Sequence, residues 1–208
     1  MTEKKAPNYG LVVWIVLYLA MMIWSGIGPK DRLTWWLEVF PTLIGVVVMA
    51  ATYKRFRLSP LLYVVILVHS LILYVGGHYT YAETPLPNLF GDLFGAGRNN
   101  FDKIGHIFQG ITPALVMREL LIRTSPMVRS KWLGFLSVCV AMAVSAFYEL
   151  IEWWSALIYG AAGDAFLGMQ GYIWDTQSDM FMALCGSTCA VIIFGRWQRK
   201  MIEKIEAK

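Results

Sequence analysis

Seven ionisable residues fall in four short stretches. They are His78 in "VGGHYT", Asp102 and His106 in "NNFDKIGHIFQG", Glu149 and Glu152 in "YELIEWW", and Asp175 and Asp179 in "GYIWDTQSDM". The three pairs are spaced i,i+4, i,i+3 and i,i+4, so each pair occupies one face of a helix. The faces extend as Asp102–His106–Gln109–Pro113, Ser145–Glu149–Glu152 and Asp175–Asp179–Gly186. Three helices marked this way can aim paired ligands at one another. Paired carboxylates with histidine on facing helices are the donors of metal sites in helical bundles. Oxygen-rich sets favour Mg, Ca or Mn, and added imidazole admits Zn or Fe.

The expected cofactor is therefore a divalent metal: Zn, Mg or Mn. The expected ligands are His106, Glu149, Glu152, Asp175, Asp179, Asp102 and His78. Glu149 and Asp179 lie a turn or more inside their apolar runs and are the expected catalytic pair. Arg98 and Gln109 are expected to contact substrate. Two other readings use the same residues. In one, the carboxylates share protons, as in a proton-coupled carrier. In the other, Lys103, Arg98 and helix N-termini pair the acids, with Asp102 and Asp175 as caps or first-turn acids. A di-iron oxygen centre would need two E-x-x-H pairs, and the chain has none. His69, mid-run in "LVHSLIL", reads as a helix–helix hydrogen bonder.

The elements that must position these groups are read from composition. The chain of 208 residues is 57% hydrophobic and 15% charged, with a mean hydropathy of +0.53. A soluble domain is about half apolar and about a quarter charged, so the balance points to the membrane. Spans of about 20 apolar residues are expected near 10–28, 35–52, 59–77, 103–122, 132–158 and 175–195. The first is read as an uncleaved transmembrane helix. The fourth is so polar that it belongs inside the bundle. The fold class is an all-α, polytopic membrane helix bundle, one domain over residues 1–208.

Charge gives a direction. With six spans, fourteen Lys and Arg fall on one side and four, Lys30, Arg32, Arg98 and Lys103, on the other. Both termini are then cytoplasmic, and the acids lie toward the outer side of the membrane. The outer loop 79–101 carries Leu86, Leu89, Phe90, Leu93 and Phe94 at near-helical spacing, as an amphipathic piece on the membrane would. Cys139, Cys185 and Cys189 lie in apolar runs, as small buried hydrophobes would. The net charge of +4 sits in short loops and carries no nucleic-acid motif. The expected partners are membrane lipids, with no nucleic acid, and a homo-oligomer is compatible with the pattern.

The three motif stretches resemble those of the bacterial YjdF inner-membrane protein family, a domain family of unknown function. A looser resemblance to the VanZ-like family rests on Asp102, Lys103, His106, Glu149, Asp175 and Asp179. The Trp-rich end of the fifth run departs from that second pattern. The resemblance implies class and location, with no reaction attached. The functional expectation is an inner-membrane protein whose metal-binding acidic cluster acts hydrolytically on a lipid or lipid-linked substrate. The alternative is a non-enzymatic lipid-binding or accessory protein, or a small proton-coupled carrier.

Overall fold

The computed structural model describes residues 9–85, 99–159 and 173–207. Its long elements are six α-helices: α1 (Tyr9–Gly26), α2 (Arg32–Thr52), α3 (Pro60–Tyr79), α4 (Phe101–Thr124), α5 (Trp132–Tyr159) and α6 (Asp175–Glu206). The expected apolar loop residues 86–94 and Arg98 lie outside the described residues.

Five of these helices, all but α4, are long and apolar enough to cross a membrane. The chain is an all-helical, polytopic membrane protein. α4 is excluded by its polarity, not by its length: 24 residues span about 36 Å. The charged helix lies inside and the apolar helices outside. α4 packs against α3, α5 and α6. Its Lys103 and Glu119 have no exposed surface, and Arg118 and His106 are buried. α1 instead exposes Val12, Val13, Ile15, Val16 and Leu19. This inversion is what a hydrocarbon solvent selects, because charges need partners and apolar faces need none.

Local signals set the helix ends. Asp31 caps α2, its Oδ1 accepting from Thr34 N at 2.6 Å. Pro60 occupies the first turn of α3, where its missing N–H costs nothing. α6 runs eleven residues beyond the expected end at 195. Gln198 and Ile202 are fully buried there, so the helix continues for packing after the apolar run has stopped.

Two apolar clusters hold the helices. Trp14, Tyr18, Trp35, Val39 and Tyr74 join α1, α2 and α3. Their polar atoms are met internally: Trp14 Nε1 donates to the Tyr63 carbonyl at 2.7 Å and Trp35 Nε1 to Ser25 Oγ at 3.1 Å. Leu61, Leu62, Val65, Leu115 and Ala190 join α3, α4 and α6. At the end of the bundle remote from the acids, Glu119 accepts from Ser59 N at 2.8 Å and from Ser59 Oγ at 2.5 Å. Arg118 Nη1 donates to Gln198 Oε1 at 2.9 Å.

Candidate functional site

The site is assembled by close backbone approach. One turn inward of the acids, a Cβ on Gly110 would collide with the carbonyl of Ala183, and a Cβ on Gly186 with that of Ile107. α4 and α6 can therefore touch backbone to backbone, as small residues permit in membrane helices. That contact puts the first turns of both helices side by side.

Lys103 stands between them. Its Nζ donates to Asp175 Oδ1 at 2.6 Å and to Asp179 Oδ1 at 2.7 Å, with Asp102 Oδ2 at 3.4 Å. The N-cap positions of α4 and α6 are Asn100 and Trp174, so Asp102 and Asp175 lie in first turns and are not the caps.

His106 lies one turn along α4. Its Nε2 is 3.4 Å from Asp179 Oδ1 and its Nδ1 is 3.7 Å from Glu149 Oε1. Gln109 Oε1 is 2.8 Å from Nδ1. With that oxygen as acceptor, Nδ1 carries the proton and Nε2 keeps its lone pair, the arrangement that orients a ligating imidazole. One ligand atom from each of His106, Glu149 and Asp179 lies within 4.8 Å of the others, and Asp102, Asp175 and Asp179 form a second such group. Glu149 Oε1 is buried and has no hydrogen-bond partner.

A third layer was invisible in the pair spacings. Glu38 of α2 is 2% exposed. Its Oε2 accepts from Tyr81 Oη at 2.9 Å and from Tyr148 Oη at 3.2 Å. Thr80, at φ 61, turns the chain so that Tyr81 enters the bundle. Positive φ is a true outlier for a β-branched residue. The Tyr81 ring fills a slot floored by Gly76 and Gly105, and a Cβ on Gly76 would overlap it. Burial, with Glu38 beside it, pushes the Tyr81 hydroxyl well above the ordinary tyrosine range, so it remains a donor. The one signal for Glu38 was an acid inside the apolar run "TWWLEVFPTLIG".

His78 goes elsewhere. Its Nδ1 lies 3.1 Å from the Ser25 carbonyl, its ring is 4.5 Å from Trp24, and it belongs to neither ligand group. As the end of α3 it faces α1, because α3 is the helix that α1 packs on. His69 makes no hydrogen bond among the described residues, and its ring lies 6.1 Å from Phe108. Glu152 lines the same space as Glu149 without joining either ligand group.

That space is a cavity of about 700 Å³. Glu38, Tyr81, Asp102, His106, Glu149, Glu152 and Asp179 line one end of it, and Val48, Met49, Phe56, Leu58, Val116 and Leu120 the other.

Residues 10–200 match the family described as "Predicted membrane protein (DUF2238)". The chain belongs to this family. The DUF2238 chain is 48% identical to "Inner membrane protein YjdF" of Escherichia coli (strain K12) over 184 residues, 88% of each chain. No solved structure matches it. Family, relative and apolar helices together make it a multi-pass protein of the bacterial inner membrane.

Proposed function

We propose that this inner-membrane protein holds a divalent cation at His106, Glu149 and Asp179 and acts hydrolytically on the head group of a membrane lipid or lipid-linked substrate. The observation that carries the reading is the bare Oε1 of Glu149, buried beside His106 at the head of an apolar cavity. A buried carboxylate oxygen without a donor is costly, and a cation removes that cost. The donor set of one imidazole and two carboxylates suits Zn, Mg or Mn. When bound, the cation would polarise a phosphoryl or acyl oxygen or acidify water. The chain's own residues do the rest. Gln109 orients His106, and Lys103 fixes Asp179 between two helices. Glu38, held by two tyrosines, closes the α2 side. Asp102, Asp175 and Glu152 add negative charge at the same end.

The same reading places α4 across the membrane as a sixth span, both termini in the cytoplasm and the cluster toward the periplasm. The asymmetry of fourteen basic residues against four supports it.

The test is metal content of protein purified in detergent without a His-tag, beside a Glu149→Ala/Asp179→Ala variant. Near-stoichiometric metal lost in the variant is expected. Metal-free protein in both, after equilibrium dialysis against Zn, Mg and Mn, would overturn the reading.

One observation favours the second reading, a non-enzymatic lipid-binding protein or proton-coupled carrier. Lys103 already places a positive charge among Asp102, Asp175 and Asp179, where a cation would otherwise sit. Loss of proton-coupled flux in liposomes on Asp179→Asn, with the fold intact, would select the carrier.

A further inference from the structure

We infer that the apolar arm of the cavity holds one acyl chain of a membrane glycerophospholipid, entering sideways from the bilayer, and that Gly45 keeps this arm open. The inference rests on the reading of the acidic cluster as a head-group site and adds to it the substrate's chain and its direction.

Polarity is confined to one end. The lining acids Glu38, Asp102, Glu149, Glu152, Asp175 and Asp179, with His106, lie toward the outer ends of their helices. Past Gln109 the wall is Pro41, Gly45, Val48, Met49, Ile66, Leu73, Pro113 and Val116, with His69 the sole ionisable side chain. Hydroxyls along this stretch are engaged by the protein. Ser70 donates to the Ile66 carbonyl, Thr52 to that of Val48 and Thr42 to that of Val39. The wall they leave is hydrocarbon, apart from the His69 imidazole and Thr112, whose buried Oγ1 has no partner. A transport path would need polar groups continuing inward.

Length and girth fit a chain. From Glu38 to Thr52 the α2 wall rises about 21 Å, most of a hydrocarbon core about 30 Å thick. A cavity of about 700 Å³ over that length has a mean cross-section of about 33 Å², room for one hydrocarbon chain.

The arm is open on one side. Val48, Leu120 and Val144, on three different helices, line it and are 53%, 41% and 41% exposed. α2 packs on α3 and meets α5 through the Tyr148–Glu38 hydrogen bond at the polar end. The gap beside α2 thus faces lipid, the phase in which the chain already resides. Charge supports the head end: a cation at the cluster would meet the phosphoryl or ester oxygens of the same lipid.

Gly45 gives a clean test. A Cβ there would meet nothing within 4 Å, and the residue lines the arm. Gly45→Phe would fill the arm without touching any acid. Val47→Phe is the control, because Val47 is 67% exposed and lines no part of the cavity. The measurement is phospholipid retained per chain after exchange into detergent and add-back of dioleoyl-phosphatidylglycerol or dioleoyl-phosphatidylethanolamine, read by native mass spectrometry, with metal content read in parallel. About one phospholipid on wild type and Val47→Phe, at least fivefold less on Gly45→Phe, and equal metal in all three is the expected result. Equal retention by Gly45→Phe, or none by wild type, would overturn the inference. Loss of lipid on Gly45→Phe in a protein that binds no metal would uphold the chain site and remove the metal reading.

Discussion

Gly110 of α4 rests directly on the carbonyl of Ala183 in α6, with no side-chain atom between the two backbones. Gly186 repeats the relationship against Ile107. A methyl group at either glycine must push the helices apart, because the neighbour is backbone and cannot rotate away. Overpacking of this kind costs about 1–3 kcal/mol. Gly110→Ala and Gly186→Ala should each lower the SDS- or heat-unfolding midpoint. A Gly45→Ala control should not, since that position opens on empty space.

Lys103 should be the most sensitive residue of the cluster. It is fully buried with Asp175 and Asp179, and removing one partner of a buried pair costs about 3–5 kcal/mol. Lys103→Met should destabilise by that order in reversible SDS unfolding. Adding Asp175→Asn should restore part of the loss. A Lys103→Met protein as stable as wild type would show that solvent or lipid head groups satisfy the acids.

Glu149 behaves oppositely. Its Oε1 has no hydrogen-bond donor to lose, and the carboxyl group's bond with Thr176 is one a glutamine carbonyl can keep. Glu149→Gln should fold and insert with stability within about 1 kcal/mol of wild type, while metal content and any activity fall. A functional Glu149→Gln protein would sink the catalytic role.

Tyr81 and Tyr148 share one acceptor oxygen of Glu38. Removing either hydroxyl should cost about 1–3 kcal/mol. The double Phe variant should depart from the sum of the singles, since the residues share a partner. A double-mutant cycle on thermal midpoints reads this directly; strict additivity would mean that Glu38 relaxes toward other donors.

Topology is read by fusions. Alkaline phosphatase should be inactive, and a fluorescent protein bright, when fused after Lys208. Phosphatase fused after Thr84 should be active. An active C-terminal phosphatase would mean an odd number of spans and return α4 to a segment that does not cross.

The helices were legible because hydrocarbon solvent imposes long apolar runs, and each expected run falls on an observed helix. The clustering of His106, Glu149, Asp175 and Asp179 was legible because helical spacing and span direction fix both face and depth. Glu38 was not, because a single acid in an apolar run has no partner in sequence to mark its face. Tyr81 and Tyr148 carry no charge and no pair spacing that would mark them as partners of an acid. His78 shared the depth of the cluster but not its azimuth, and azimuth depends on which helix packs where. In sequence Lys103 is one basic partner among several; its place between two helices depends on the Gly110 and Gly186 contacts, which join residues more than 70 positions apart.

The buried charges of α4 also constrain how the protein is made. Lys, Arg and Asp each oppose translocon insertion by about 2.5–3.5 kcal/mol at a helix centre, and α4 carries Asp102, Lys103, Arg118, Glu119 and Arg123. The groups that relieve Lys103 and Arg118 are Asp175, Asp179 and Gln198, 72 to 80 residues later in the chain. Ribosomes add about 5–20 residues per second. On the six-span reading, α4 is expected to insert only once α6 has emerged, several seconds later. A nascent chain arrested before Asp175 should leave α4 open to protease, and one extended past Gln198 should protect it.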